Sequence, residues 1–405
     1  MNIFYKCSYS ALILILWTVQ TASAQEFEWR FEDTYRDEAL YVHPLINYNF
    51  HPLWDLDWEK NFLRSNGFQF TAGSVTTSEL LVHSQLTFNN DLENGWWFTA
   101  RGLWNATRHE NLKERTIFLG LERQVIPGAS VFLLCHPRFD KEYLDVQMGV
   151  SIWNKSREQY FSAALVLNDL VYDSKNDQGG KTSQKPVGIQ WYLRFGKGKW
   201  WIYSEGNFNT GFEREFPDIE ESPLPASHQQ RSNRFKLKWY YQWPEDNLFR
   251  LSAYYYRFDD ARGFYDGGLN YDYQNEIIDL TPEYLFYFRK AHRFRVLMHF
   301  LRQKARSIGF SRHTFDRQDL MPAMFYEWLL KEHVLQAGFM FSVHNWDYES
   351  GGERDGYRVE QGYFDKVFLS YTHQFTKTAK ILFSISHEVS VGGFGGGNIQ
   401  YQMFF

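Results

Sequence analysis

Ser342 and His344 are the first residues in this sequence whose types and spacing could do chemistry. A hydroxyl and an imidazole two places apart share one face of an extended chain, the minimal arrangement for a base-activated nucleophile. No Asn or Asp is placed to orient the imidazole, so the pair is incomplete as a hydrolytic site. The 13 His include no His-Glu-x-x-His spacing, and no Cys-x-x-Cys-His is present. The sequence therefore assigns no metal, no haem and no other cofactor. Gly392-Gly393-Phe394-Gly395-Gly396-Gly397 lies between two strand patterns and reads as turn chemistry, not a phosphate cradle. No catalytic residues are assigned, and the chain reads as a non-enzyme.

Charge is the other chemistry on offer. Arg101, Arg194, Arg234, Lys236, Lys238, Arg250, Arg295, Lys366 and Lys380 fall on the polar sides of alternating stretches. So do Glu122, Asp145, Glu205, Asp279, Glu283 and Glu388. A ladder of Arg and Lys along a water-filled pore would raise the local concentration of anions and set selectivity. The rival reading is that these cations pair with the neighbouring carboxylates and fill space. The segments Asp259-Asp260-Ala261-Arg262-Gly263-Phe264-Tyr265-Asp266 and Trp346-Asp347-Tyr348-Glu349-Ser350 read as aromatic, acidic loops. Either could fold inward as a constriction, or bind a sugar or a divalent ion.

The elements that carry these charges are strands. In one, Val187, Ile189, Trp191, Leu193 and Phe195 oppose Gly188, Gln190, Tyr192 and Arg194. In the next clear one, Phe235, Leu237, Trp239, Tyr241 and Trp243 oppose Arg234, Lys236, Lys238, Tyr240 and Gln242. The same period of two recurs from Ile278 to Phe288, from Leu335 to His344 and from Lys380 to Val389. Runs of roughly ten residues suit a tilted membrane crossing. Short turns at Lys197-Gly198-Lys199, Glu245-Asp246-Asn247, Lys290-Ala291-His292, Lys331-Glu332-His333 and Lys377-Thr378 alternate with long segments at 175–185, 216–231, 259–273, 307–318 and 347–361.

The N-terminus carries Lys6, the apolar run Ala11 to Trp17, and Ala22-Ser23-Ala24, the plan of a cleaved secretory signal over residues 1–24. Its loss removes Cys7 and leaves Cys135 alone, and it changes the formal net charge from −5 to −6 (−5 − 1, for Lys6). That mild acidity gives no case for nucleic acid. Aromatic residues make up 19% of the chain while mean hydropathy is −0.50. A barrel whose two faces cancel in any average gives that combination. Residues 25–61 are interrupted by Pro44 and Pro52. They read as a lead-in, an extra strand or a plug before a barrel over 62–405.

The chain ends Asn398-Ile399-Gln400-Tyr401-Gln402-Met403-Phe404-Phe405, with Ile399, Tyr401, Met403 and Phe405 on one face. This pattern resembles the C-terminal signature of Gram-negative outer-membrane β-barrels, and the resemblance extends over nearly all of the mature chain. It implies an all-β fold: a single transmembrane, antiparallel, up-and-down barrel of about 18 strands, with 16 to 20 open. It also implies the outer membrane as location, its lipid and lipopolysaccharide as surroundings, the barrel-assembly machinery as reader of the last strand, and a porin-like trimer. Three functions stay open. The first is a passive channel for small hydrophilic solutes, with anionic solutes as its narrower form. The second is a conduit with a partner, for anionic polysaccharide export or as the sheath of an electron-transfer protein. The third is an outer-membrane lipid hydrolase.

Overall fold

The computed structural model describes residues 51–405 apart from 64, 75–79, 108–112, 138–142, 157, 173–180, 184–186, 216–226, 244–246, 264–270, 309–312, 351–364 and 391. The signal region and most of the lead-in lie outside these.

One antiparallel sheet runs through the chain. Its segments are β1 (Gly67–Ser74), β2 (Leu80–Asp91), β3 (Trp96–Thr107), β4 (Lys113–Ile126), β5 (Ala129–Pro137), β6 (Tyr143–Trp153), β7 (Tyr160–Tyr172), β8 (Lys181–Ser183), β9 (Gly188–Lys197) and β10 (Trp200–Glu215). They continue as β11 (Ser227–Gln242), β12 (Leu248–Gly263), β13 (Tyr271–Arg289), β14 (His292–Ile308), β15 (His313–Leu330), β16 (His333–Met340), β17 (Val343–Ser350), β18 (Lys366–Thr376), β19 (Ala379–Glu388) and β20 (Gly393–Phe404). β8 and β9 both pair with β10, and β16 and β17 both pair with β15, so each couple is one interrupted strand and 20 − 2 = 18. β1 pairs with β2 on one side and with β20 on the other, Phe70 opposite Tyr401, so the sheet closes on itself. Closure leaves no edge of unpaired backbone, a condition that lipid imposes.

The alternation read from the sequence holds with the oily face outward. Ile278 is 45% exposed and its neighbour Asp279 3%; Trp239 is 37% exposed and Tyr240 0%. At the short-turn end the outer face carries a chain of rings from Trp243 through Tyr284, Phe286 and Phe294 to Tyr326, with successive centroids 5.2–5.7 Å apart. Amphipathic rings collect at such a water–lipid boundary. The short turns at 197–199, 290–292, 331–333 and 377–378 fall as read, while Glu245 and Asp246 lie outside the described residues; Gly198, at φ 62°, supplies the left-handed residue of the β9–β10 turn.

Two expectations need correction. The strands from β10 to β15 run 16 to 19 residues, well beyond ten. Segments read as loops are therefore partly strand: Asp259–Gly263 belongs to β12 and pairs with β11 and β13, and Trp346–Ser350 belongs to β17. Pairing beyond the oily band needs no apolar side chains, so the sequence pattern stops before the ladder does. The inner face is also not uniformly polar: Ile277, Leu301, Phe315 and Met321 are buried on the lumen side of β13, β14 and β15. Residues 52–61, within the segment read as a lead-in, an extra strand or a plug, form a helix.

Candidate functional site: a helix tied across the lumen

Helix α1 (Pro52–Asn61) is the one helix among the described residues. Pro52 stands in its first turn, where a missing N–H costs nothing, Asp55 lies in that turn and Lys60 in the last. His51 caps it: the Leu53 N–H donates to His51 Nδ1 at 3.3 Å. Pro52, Trp54, Asp55, Leu56 and Trp58 are all buried, so the helix is surrounded rather than laid on a surface. Leu56 packs with Tyr203, Tyr240, Leu248 and Leu285 from the barrel wall.

Asp55 is the hub of its polar contacts. It accepts from Lys238 Nζ at 2.6 Å, Tyr240 Oη at 2.8 Å and Arg250 Nη1 at 2.8 Å. Lys238 also reaches Glu59 at 2.9 Å. Arg250 continues to Glu283, and Glu283 to Arg295. Charges thus alternate in sign from Lys238 through Asp55, Arg250 and Glu283 to Arg295. Burial alone would raise the Asp55 pKa, but Lys238 and Arg250 outweigh it and hold the carboxyl well below the usual carboxylate range.

The two ends of the strap meet different parts of the wall. At the first, His51 Nε2 lies 3.0 Å from Glu327 Oε1, and Arg293 Nε donates to the other oxygen of Glu327 at 2.6 Å. At the second, the Phe62 ring meets Tyr192 on β9 at 5.2 Å and the Arg101 guanidinium on β3 at 5.8 Å, while Asn66 Oδ1 accepts from the Asn89 N–H of β2 at 2.7 Å. Between the ends, Lys380 donates to Asp57 at 2.9 Å, Gln402 to the Trp54 carbonyl at 2.9 Å, and Arg194 to the carbonyls of Glu59 and Lys60. Phe404, beside the terminal residue, stacks on Trp58 with centroids 5.5 Å apart. These contacts lie close to the short turns, so α1 crosses the lumen at that end.

Burial, with opposing contributions from Glu327 and from Arg293 and Arg295, brings the His51 pKa down to about 4. His51 is therefore neutral at pH 7, its Nε2–H donating to Glu327 and its bare Nδ1 accepting from Leu53. Protonating Nδ1 would break the cap. A group whose docked pKa lies below its free value of 6.5 stabilises docking above pH 6.5, and the stabilisation is lost as pH falls toward 4. The full effect is about 3 kcal/mol. We expect protease cleavage within α1 to rise between pH 6.5 and 4, and His51→Gln to flatten that rise.

The other charges read from the sequence are placed as follows. Lys236 lies 3.6 Å from Glu205 and keeps 38% of its side chain exposed. Arg234 faces the lumen on the same strand, two residues on. Lys366 is buried and donates to the Gly395 carbonyl at 2.6 Å, opposite Glu388 in register. Asp279 accepts from Thr281 at 3.2 Å, and Glu122 accepts from Ser130. The side chain of Asp145 is outside the described residues. Ile399 and Phe405 point outward, while Gln400 and Gln402 are buried inward. Ser342 falls in the break between β16 and β17, its N–H bonded to Asp365 at 2.7 Å, and the His344 side chain is outside the described residues. No group of three metal-ligating side chains occurs among the described residues.

A closed 18-strand ladder, an apolar outer band and a charged interior together decide the class. The chain is a closed transmembrane β-barrel of 18 antiparallel strands. No protein-family profile matches it, and no curated protein does. Among solved structures it is similar to a loop-deletion form of OmpT, an outer membrane protein of Vibrio cholerae, at 11% identity. The match covers 84% of this chain and 99% of that one at a TM-score of 0.36. It is likewise similar to a substituted porin of Rh. blastica at 10% identity, covering 84% and 99% at a TM-score of 0.32. At such scores the likeness carries none of the argument, which rests on the barrel's own hydrogen bonds and exposed faces.

Proposed function

We propose that this barrel is a passive channel for small hydrophilic solutes, narrowed at its short-turn end by α1. The observation that carries the reading is the helix itself, tied by charge across the lumen at the short-turn end. Eighteen strands about 4.8 Å apart and tilted about 40° make a backbone cylinder roughly 36 Å across. A ten-residue helix is about 15 Å long and 10–12 Å thick. The strap narrows that cross-section.

The basic ladder takes a second meaning in this reading. Lys238, Arg250 and Lys380 are answered by Asp55 and Asp57 of α1, so their first task is to hold the helix. Anion preference then falls to Lys236, whose side chain stays 38% exposed beside Glu205. The strap also favours a second reading, a conduit whose floor opens when a partner engages it. Planar-bilayer recording separates the two. A steady current through the intact protein, reduced in anion preference by Lys236→Gln, supports the channel. Silence until α1 is released supports the conduit. No current in either state excludes both.

A further inference from the structure

The outer girdle at the short-turn end contains two contacts between an imidazole and a phenol. His292 Nδ1 lies 2.5 Å from Tyr326 Oη, and His333 Nδ1 lies 2.7 Å from Tyr371 Oη. The rings stack in both, with centroids 5.8 and 5.7 Å apart. The residue opposite each histidine differs: Trp328 stands opposite His292, and His373 stands opposite His333. His373 Nδ1 comes within 3.3 Å of His333 Nδ1. One nitrogen of His333 therefore faces two partners, although it has a single proton or a single lone pair to offer. Ring packing alone needs no such convergence, and His292 does without it.

The spacing has a chemical meaning. Zinc bonds imidazole nitrogen at about 2.0–2.1 Å with tetrahedral angles, which sets two ligand nitrogens about 3.3–3.4 Å apart. Right-angled coordination at the same bond length would set them about 2.8–3.0 Å apart. The observed 3.3 Å matches the tetrahedral value. The register maintains it: His333 and His373 are paired residues of β16 and β18, so their Cβ atoms stay neighbours in any rotamer. Water has access, since both imidazoles are partly exposed and Lys331 and Glu332 in the adjoining turn keep 91% and 56% of their side chains exposed. Each histidine presents a bare Nδ1 when its proton sits on Nε2, so the pair can take up a cation with no net loss of a proton.

We propose that His333 and His373 form a zinc site on the outer wall. Both ligate through Nδ1, water fills the remaining positions, and the Tyr371 hydroxyl is a hydrogen-bonding neighbour of that water. The metal acts as a clip. β16 has only eight residues and stops at the break before β17, so its pairing with β18 is short. An ion shared by the two strands ties β16 at its turn end. The site lies outside the lumen and does not rest on the channel reading.

Calorimetric titration of the full, untagged barrel, folded in detergent and freed of metal, with zinc chloride tests the site. Saturable binding is expected, together with a higher unfolding temperature in zinc. Tyr371→Phe should weaken binding about tenfold, as loss of an outer partner does, and His333→Ala or His373→Ala should weaken it further, below detection. His292→Ala should change nothing. Cobalt(II) in place of zinc should show the intense visible bands of a tetrahedral site, and these should vanish in His373→Ala. Circular dichroism establishes that each variant is folded. No saturable binding by the unaltered protein, binding that either histidine substitution leaves intact, or the weak bands of octahedral cobalt would overturn the proposal.

Discussion

Asp55→Asn should free α1 from the barrel floor and raise the single-channel conductance. The substitution keeps the shape of the side chain and removes one negative charge from the centre of a buried chain of alternating signs. Lys238 and Arg250, at 2.6 and 2.8 Å from the carboxylate, would lose the partner they share. Removing one member of a buried pair commonly costs about 3–5 kcal/mol, because the remaining charge is left uncompensated in a poorly solvated site. Here Glu59 still holds Lys238 and Glu283 still holds Arg250, so the cost should fall toward the lower end of that range. Even that shifts a docked helix by about two orders of magnitude in population. Protease cleavage between residues 52 and 61 should increase in parallel, while the 18-strand ladder remains resistant. If conductance and cleavage both stay at the level of the unaltered protein, Asp55 is not what holds the strap.

The barrel was legible in the sequence because its rule is short-range. A period of two, read at Ile278–Phe288 or Val187–Phe195, assigns faces without knowing any partner strand, and the asymmetry of turn lengths assigns the ends. The strand limits were not legible, since Asp259 to Gly263 pair through backbone groups that are the same in every residue. The strap was hidden for another reason. Its ten residues place Trp54, Asp55, Leu56 and Trp58 into contacts on every side, so no apolar stripe marks it as helical. The surviving signal was at its ends, in Pro52 at the start, Asp55 in the first turn and Lys60 in the last. The basic residues were found by their alternation, yet their partners could not be, because Asp55 and Lys238 lie 183 positions apart.

Glu327→Ala should be the most destabilising single change at the other end of the strap. Glu327 is fully buried and serves three side chains: Arg293 through Nε at 2.6 Å and Nη2 at 2.5 Å, His51 at 3.0 Å and Gln336 at 2.9 Å. Truncation leaves Arg293 without its counter-ion and Gln336 without an acceptor, and it removes the group that fixes which nitrogen of His51 carries the proton. The loss should be about 3–5 kcal/mol in denaturant titration. Part of it belongs to the wall and part to the helix, and a double-mutant cycle divides them. If His51 docks α1 through Glu327, the cost of His51→Ala should shrink by about 1–2 kcal/mol in a Glu327→Gln background, because the two share one contact. Full additivity of the pair would show that His51 caps the helix without tying it to β15, and the anchoring of that end would have to be sought in the apolar packing around Leu56 instead.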